Sequence, residues 1–441
     1  MKLINLGDFE KAKKELLNDD NNAVSFIYEK SIKNLNSKKA LLNDAIFTIK
    51  QNFATNDAIT NSSSQILKNF FPHYNATAVQ KLINEGAIKV AKVNCDEFGL
   101  GGTGTFSGYG LIHHQKDKNR YAGGSSSGSI ATFTKNISFA LASDTGDSVR
   151  LPASYWGKVG FKPSYGAISR YGMFAYASSL DTVAYFAHNV NDIALVSQSL
   201  FGKDEKDFTS KDIDLSNIKK SKPQKLIILD LDFLKPYVKN NYDKLIKNLQ
   251  KENIKIEIIK PNKYLLFAIK PVYNIISFSE ASSNLSNLNG ISFGNTIDGD
   301  NWEQIMTNTR SKGFGYMVQK RLTLGSYFLH SNNQKDMFVK AQKVRRVIKN
   351  YFDKLHKRTD LVIFPCSSGI APLFNEKINN GYMDYILTGA NLTGNPSLSL
   401  PWINYNNLFV NLSLDAAIYK DENLLSYALW FEEFIKGDKY E

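Results

Sequence analysis

Apolar residues recur at intervals of three and four along Asp8–Leu17 (DFEKAKKELL) and Ala23–Leu35 (AVSFIYEKSIKNL), which predicts two helices before residue 41. Ala45–Ile49 (AIFTI) is a short, mostly apolar run that ends directly in Lys50, the pattern of a buried strand. From Ala76 the spacing is helical again as far as Gly86, and the apolar stretch that follows to Val93 predicts a strand. The rhythm then stops. Phe98–Gly128 is rich in Gly, Ser, Thr and Tyr without periodicity, and an irregular stretch of that length inside a folded chain is commonly functional. Regular pattern resumes over Ser129–Ser143 as a helix followed by a strand.

Lys225–Asp230 (KLIILD), a helix over about Pro236–Leu249, and Ile254–Ile259 (IKIEII) read as a β-α-β unit. Phe338, Ala341, Val344, Ile348, Tyr351 and Leu355 share one face of a long amphipathic helix that leads into the strand Asp360–Pro365. Alternating strands and helices, with no repeat, low-complexity tract or linker, predict one large α/β domain over residues 1–441. Within it lie a helical N-terminal region (1–40), a core with the serine-rich loops (about 41–200) and a remainder (about 201–441).

Composition changes this picture little. The net charge of +12 is compatible with a polyanionic partner, but the lysines are dispersed, which favours a plain solvated surface. Cys95 and Cys366 are the only cysteines, too few for a disulfide framework, which fits a reducing compartment. The first residues, MKLINLGDFEKAKKELL, carry charge where a signal peptide has an apolar core. The longest apolar stretch, Tyr264–Phe278, is broken by Lys270 and Pro271 and is too short to span a bilayer. The expectation is a cytoplasmic protein with no membrane association.

The chemistry is narrowed by elimination. The six histidines show no H-x-x-x-H pair and the cysteines no C-x-x-C, so no metal site is expected, and His113-His114 is read as loop packing. Ala122–Ser129 (AGGSSSGS) lacks the Gly-Lys-Ser/Thr ending of a phosphate loop. Its Gly124-Ser125-Ser126-Ser127-Gly128 formally fits a nucleophile elbow, but the preceding residues, HHQKDKNRYA, are not the hydrophobic strand that motif needs. Neither cysteine has a histidine nearby in sequence. What remains is two serine-bearing glycine loops and one lysine, Lys50, at the end of an apolar strand; a buried, neutral lysine can serve as base to a serine nucleophile.

Several stretches together resemble the amidase signature family, and within it the glutamine-hydrolysing subunits of tRNA-dependent amidotransferases. GGSSSGS and SDTGDSVRLPASYWGKVGFKPSYG are similar to the signature block, and IKQN to the lysine segment. NCDEFGLGG (Asn94–Gly102), ISRYGMFAYASSLD (Ile168–Asp181) and GFGYMVQKRLTLGSYFL (Gly313–Leu329) resemble the subunit group more narrowly. The resemblance runs from about Leu41 to the C-terminus. It implies the amidase signature fold, a large mixed β-sheet sandwiched between α-helices. It also implies a Ser-cisSer-Lys triad, which carries over as nucleophile Ser148, relay Ser125 and base Lys50.

By the same resemblance, the backbone amides of Thr145, Gly146 and Asp147 form an oxyanion hole, while Asp144 and Arg150 pin the loop. Arg321 meets the α-carboxylate of L-glutamine, Asp384 its α-amino group, and Tyr273 lines the pocket. No cofactor is implied for this chain; ATP and Mg2+ belong to a B subunit that amidates Glu-tRNA(Gln) or Asp-tRNA(Asn) and carries most tRNA contacts, with a small C subunit completing a heterotrimer. A free-standing amidase and a non-catalytic scaffold are the alternatives. Three departures stand out. Gly146-Asp147 replaces a Gly-Gly pair, and Lys50-Gln51-Asn52 replaces Lys-Asp-Asn. The serine spacing is one residue short, which leaves Ser126 open as the relay.

Overall fold

Successive residues of the central strands are buried on opposite sides. Leu226 and Ile228 enter one apolar cluster and Ile227 and Leu229 another; Leu361 and Ile363 divide from Val362 and Phe364 in the same way. Strands apolar on both sides must be covered by helices on both faces, and the chain folds accordingly. A computed structural model describes residues 1–30, 40–376 and 379–437.

Its strands are, in chain order, β1 (Val24–Ile27), β2 (Ile46–Lys50), β3 (Ile88–Val93), β4 (His113–His114), β5 (Asp117–Tyr121), β6 (Phe139–Asp144) and β7 (Val159–Lys162). They continue with β8 (Thr182–Ala187), β9 (Lys225–Leu229), β10 (Lys255–Ile259), β11 (Leu361–Pro365), β12 (Ser397–Tyr405) and β13 (Leu408–Asp415). One 11-stranded sheet has the order β1-β3-β2-β6-β8-β7-β12-β13-β11-β9-β10, and β4-β5 is a separate hairpin. β2 is parallel to β3 and β6, and β9 to β10 and β11; the other sheet pairs are antiparallel. The expected α/β class, a large mixed sheet with flanking helices, is what the chain forms.

The β-α-β unit is present as β9, the helix Pro236–Gln250 and β10, and the long amphipathic helix as Lys340–His356. The N-terminal region departs from expectation. Among its described residues only Phe9–Leu17 is helical; Ala23–Leu35, predicted as a second helix, instead supplies the edge strand β1, antiparallel to β3, and its residues 31–35 lie outside the described residues. Val24, Phe26, Ile27 and Tyr28 are β-branched or aromatic, and an available sheet edge outweighs a helical spacing of apolar residues. The irregular stretch 98–128 contains the β4-β5 hairpin, in which His114 packs on Trp156 at 4.4 Å between ring centroids. Tyr264–Phe278 belongs to the helix Lys263–Asn284, which retains Pro271 in its interior. Among the described residues, no helix is long and apolar enough to cross a membrane.

Two features of this fold position the site. β2 and β6 are neighbours and parallel, so their last residues, Lys50 and Asp144, emerge at the same end of the sheet. The chain turns from β6 through residues 145–149 into the helix Arg150–Trp156. The carboxyl ends of parallel strands are where α/β sheets place their ligands.

Candidate active site

Lys50 closes a strand that is buried along its whole length and flanked by β3 and β6, and its side chain is fully buried. Its Nζ donates to Ser125 Oγ (2.8 Å), Ser126 Oγ (3.1 Å) and Ser143 Oγ (3.0 Å). Burial pulls the lysine below its ordinary range, opposed by Cys95, Asp96, Asp144 and Asp181. An ammonium has three N–H donors for three hydroxyls, whereas a neutral amine has two and can accept a proton from the third.

The partners of the serines differ. Ser126 Oγ donates to the carbonyl of Ser143 (3.2 Å), so towards Lys50 it acts as an acceptor. Ser143 Oγ also accepts from Asn52 Nδ2 at 3.0 Å. Among the described residues Ser125 Oγ hydrogen-bonds only to Lys50, which leaves its proton available to the amine. The Gly124–Ser125 peptide is cis. Gly124 is required by close approach: a Cβ there would collide with Asp96 Oδ2. Asp96 organises this loop, accepting from the amides of Gly102 (2.7 Å), Thr103 (3.2 Å), Gly104 (3.2 Å) and Phe106 (3.0 Å).

Ser148 lies on the β6 turn, nearly buried, with its carbonyl accepting from Ser126 N–H at 3.3 Å. Its hydroxyl has no hydrogen-bond partner among the described residues, so the contact between Ser148 Oγ and Ser125 Oγ is not closed here. Nor do the amides of Thr145, Gly146 and Asp147 donate to any protein group among the described residues, as an oxyanion site requires. The turn itself is held rigidly. Fully buried Arg150 pairs with fully buried Asp144 through Nη2–Oδ1 (3.0 Å) and Nε–Oδ2 (3.2 Å). It also donates to the carbonyl of Gly146 (2.8 Å) and to Asn391 Oδ1 (2.6 Å), while Asp144 accepts from Val149 N–H (3.0 Å). Thr145 Oγ1 donates to Asp181 Oδ1 at 2.7 Å.

Asp147 lines a cavity of about 330 Å3 together with Asp384, Leu151, Tyr155 and Cys366. Burial, with Asp144 and Asp384 nearby, pushes its carboxyl up to about 7, against the pull of Arg150 and Arg321. Asp384 is exposed and accepts from Asn380 Nδ2 at 2.8 Å. Tyr273 lies against Gly146, where a Cβ would meet its ring and hydroxyl at 3.1 Å. Arg321 donates to Tyr176 Oη (2.9 Å) and to the carbonyl of Gly101 (3.1 Å); its Nε is buried with no partner among the described residues. It pairs with no acidic side chain among them, which suits a carboxylate ligand. The cavity reaches the turn at Asp147 but is not lined by Lys50, Ser125, Ser148, Arg321 or Tyr273.

Ser143, Asn52, Tyr176 and Asn391 were not singled out from sequence, although Ser143 stands in the polar run after the apolar part of β6. Gln51, beside Lys50, turns away to Ser25 Oγ at 2.6 Å. Burial pushes the Cys95 thiol up and that of Cys366 up to about 12, which disfavours either as a thiolate nucleophile. Among the described residues no three His, Cys, Asp or Glu side chains group as metal ligands.

The pattern of the Amidase family matches residues 11–425. The chain belongs to the amidase family. It is 38% identical to the A subunit of glutamyl-tRNA(Gln) amidotransferase of Mycoplasma genitalium over 92% of this chain and 89% of that protein. The protein of the same name from Mycoplasma pneumoniae is also 38% identical, over 91% and 88%. The crystal structure of the corresponding glutamyl-tRNA(Gln) amidotransferase A subunit from Thermotoga maritima superposes with a TM-score of 0.79, at 29% identity, over 97% of this chain and 91% of that one. The amidase fold reaches further: 6-aminohexanoate cyclic dimer hydrolase, 17% identical, superposes with a TM-score of 0.79.

Proposed function

We propose that this amidase is the glutamine-hydrolysing A subunit of a glutamyl-tRNA(Gln) amidotransferase. The observation that carries the reading is the buried Lys50, bonded only to serine hydroxyls among the described residues and set at the same end of the sheet as the Ser148 turn. Ser148 Oγ attacks the side-chain carboxamide carbon of L-glutamine. Its proton passes to Ser125, and the Ser125 proton passes to neutral Lys50. The amides of Thr145, Gly146 and Asp147 hold the oxyanion of the tetrahedral intermediate. Lys50 returns the proton through Ser125 to the departing nitrogen, which leaves as ammonia, and Ser148 keeps a glutamyl ester. Water, deprotonated by the same relay, cleaves the ester to glutamate and restores Ser148.

Ser125 rather than Ser126 is the relay in this reading, because the Ser126 proton is committed to a carbonyl. Arg321 takes the substrate α-carboxylate, Asp384 the α-ammonium, and Tyr273 packs between them and the Gly146 turn. We read 1–441 as one amidase domain, since strands from both halves enter a single sheet. The ammonia passes to a B subunit, which uses ATP and Mg2+ on the misacylated tRNA, in a cytoplasmic complex completed by a small C subunit.

Ammonia release from L-glutamine, measured with and without Glu-tRNA and the cognate B subunit, tests the assignment. The expected result is hydrolysis of glutamine that the partner and charged tRNA stimulate. Turnover of other small amides in preference to glutamine, indifferent to the partner, would make the chain a free-standing amidase. No release in the complete complex would make it a scaffold.

A further inference from the structure

The segment Asn94–Gly102 stands out in the sequence, yet the triad uses none of its side chains. Glu97 within it is 2% exposed and has no cationic partner among the described residues. Its Oε2 accepts from the amide of Gly315 (2.8 Å), the residue that caps the helix Tyr316–Leu329, and its Oε1 accepts from Ser64 Oγ. A carboxyl group at that end of a helix is favourably placed against the helix dipole. Ser64 Oγ also reaches the carbonyl of Gly313 at 3.4 Å. Burial pushes the Glu97 carboxyl up to about 7, against its bonds to Ser64 and Gly315.

The same loop is bonded both to Arg321 and to Ser125. The carbonyl of Gly101 accepts from Arg321 Nη2 at 3.1 Å, and Arg321 is carried by the helix whose capping amide Glu97 holds. Phe98 packs its ring edgewise on Phe314 at 5.9 Å between centroids. On its other side, the Asp96 amide donates to the carbonyl of Ser125 at 3.1 Å, and Gly99 lies against Ser125 Oγ. One short segment is thus bonded to the relay serine and to the helix that holds the guanidinium.

We propose that Glu97 is a positioning residue for substrate binding: by holding Gly315 and Ser64 it sets the Arg321 helix at a fixed distance from Ser125 and the Ser148 turn. This rests on the glutaminase reading, in which Arg321 meets the substrate α-carboxylate. Glu97 touches no substrate atom and acts through Arg321. Its loss should therefore weaken glutamine binding without changing the chemical step.

The test is steady-state glutamine hydrolysis by Glu97→Ala, Glu97→Gln, Ser64→Ala, Arg321→Ala and the Glu97→Ala/Arg321→Ala pair, each in complex with the cognate B subunit. Glu97→Ala is expected to raise KM for L-glutamine by about tenfold while kcat stays within roughly threefold. Glu97→Gln keeps an acceptor for Gly315 and should restore most of the wild-type KM. Ser64→Ala removes one of the two grips and should shift KM in the same direction by less, which keeps the test open if Glu97→Ala folds poorly. Added to Arg321→Ala, Glu97→Ala should cost within about twofold of nothing, because both act on one contact. A fall in kcat at unchanged KM, or a full multiplicative loss in the pair, would overturn the role of Glu97 alone. No hydrolysis of glutamine by the wild-type complex would overturn the glutaminase reading beneath it.

Discussion

Lys50→Met is expected to lower kcat/KM for glutamine by about 10^2 to 10^4, the range supplied by a positioned general base. Methionine fills a similar volume without a proton acceptor, so Ser125 keeps its place but has nowhere to pass a proton. Folding should survive. Removing a buried amine also removes the cost of desolvating it, so the urea midpoint is expected to fall little, and a folded but inactive protein is the signature. Retention of a tenth or more of wild-type activity would show that Lys50 is not the base.

The wild-type pH profile follows from the same group. The base must be neutral, and burial lowers the Lys50 pKa below the ordinary lysine value, so kcat/KM should rise with pH as Lys50 loses its proton, in a window below the usual lysine range. Stability has the same sign. Between the lowered folded value and the unfolded value of 10.5 the unfolded chain binds more protons, so this group stabilises the fold increasingly as pH rises through that window. The limb should vanish in Lys50→Met.

Arg150→Ala should destabilise the protein by about 3–5 kcal/mol, because it leaves the Asp144 carboxylate buried without its cation. Arg150 also holds the carbonyls of Gly146 and Leu387 and the side chains of Asn391 and Ser397, none of which an alanine can reach. Arg150→Lys is not a conservative rescue, since one ammonium cannot reproduce the planar set of donors. Urea unfolding measures the loss as a lower midpoint with an unchanged slope. A loss under about 1 kcal/mol would place Arg150 among ordinary surface charges and contradict its holding of the Ser148 turn.

What could be read in the sequence was mostly local. Lys50 stood out because an apolar run ends in it, and the turn after β6 because small hydroxyls and charges follow buried residues. Ser125 as a partner of Lys50 came from the resemblance, whereas Ser143, 93 residues away, was not legible, because its meeting with Lys50 depends on the pairing of β2 with β6. β1 was misread because its apolar spacing suits a helix while its vacant partner, the edge of β3, is supplied by residues far along the chain. β12 went unread for a different reason. Pro401 argues against an interior strand, and the structure accommodates it at a register shift between Pro401 and Ile403. Arg321, Asp384 and Tyr273 came from resemblance alone, since no local pattern shows which guanidinium will be left without an acid.

The central claim is that Ser148 carries the glutamyl group. Mixing the enzyme with L-glutamine, quenching in acid during turnover and mapping peptides by mass spectrometry tests it most directly. A glutamyl ester on the peptide containing Ser148, absent from Ser148→Ala together with ammonia release, is the expected result. An adduct on Ser125, Ser126 or Cys95, or undiminished ammonia release by Ser148→Ala, would contradict the account.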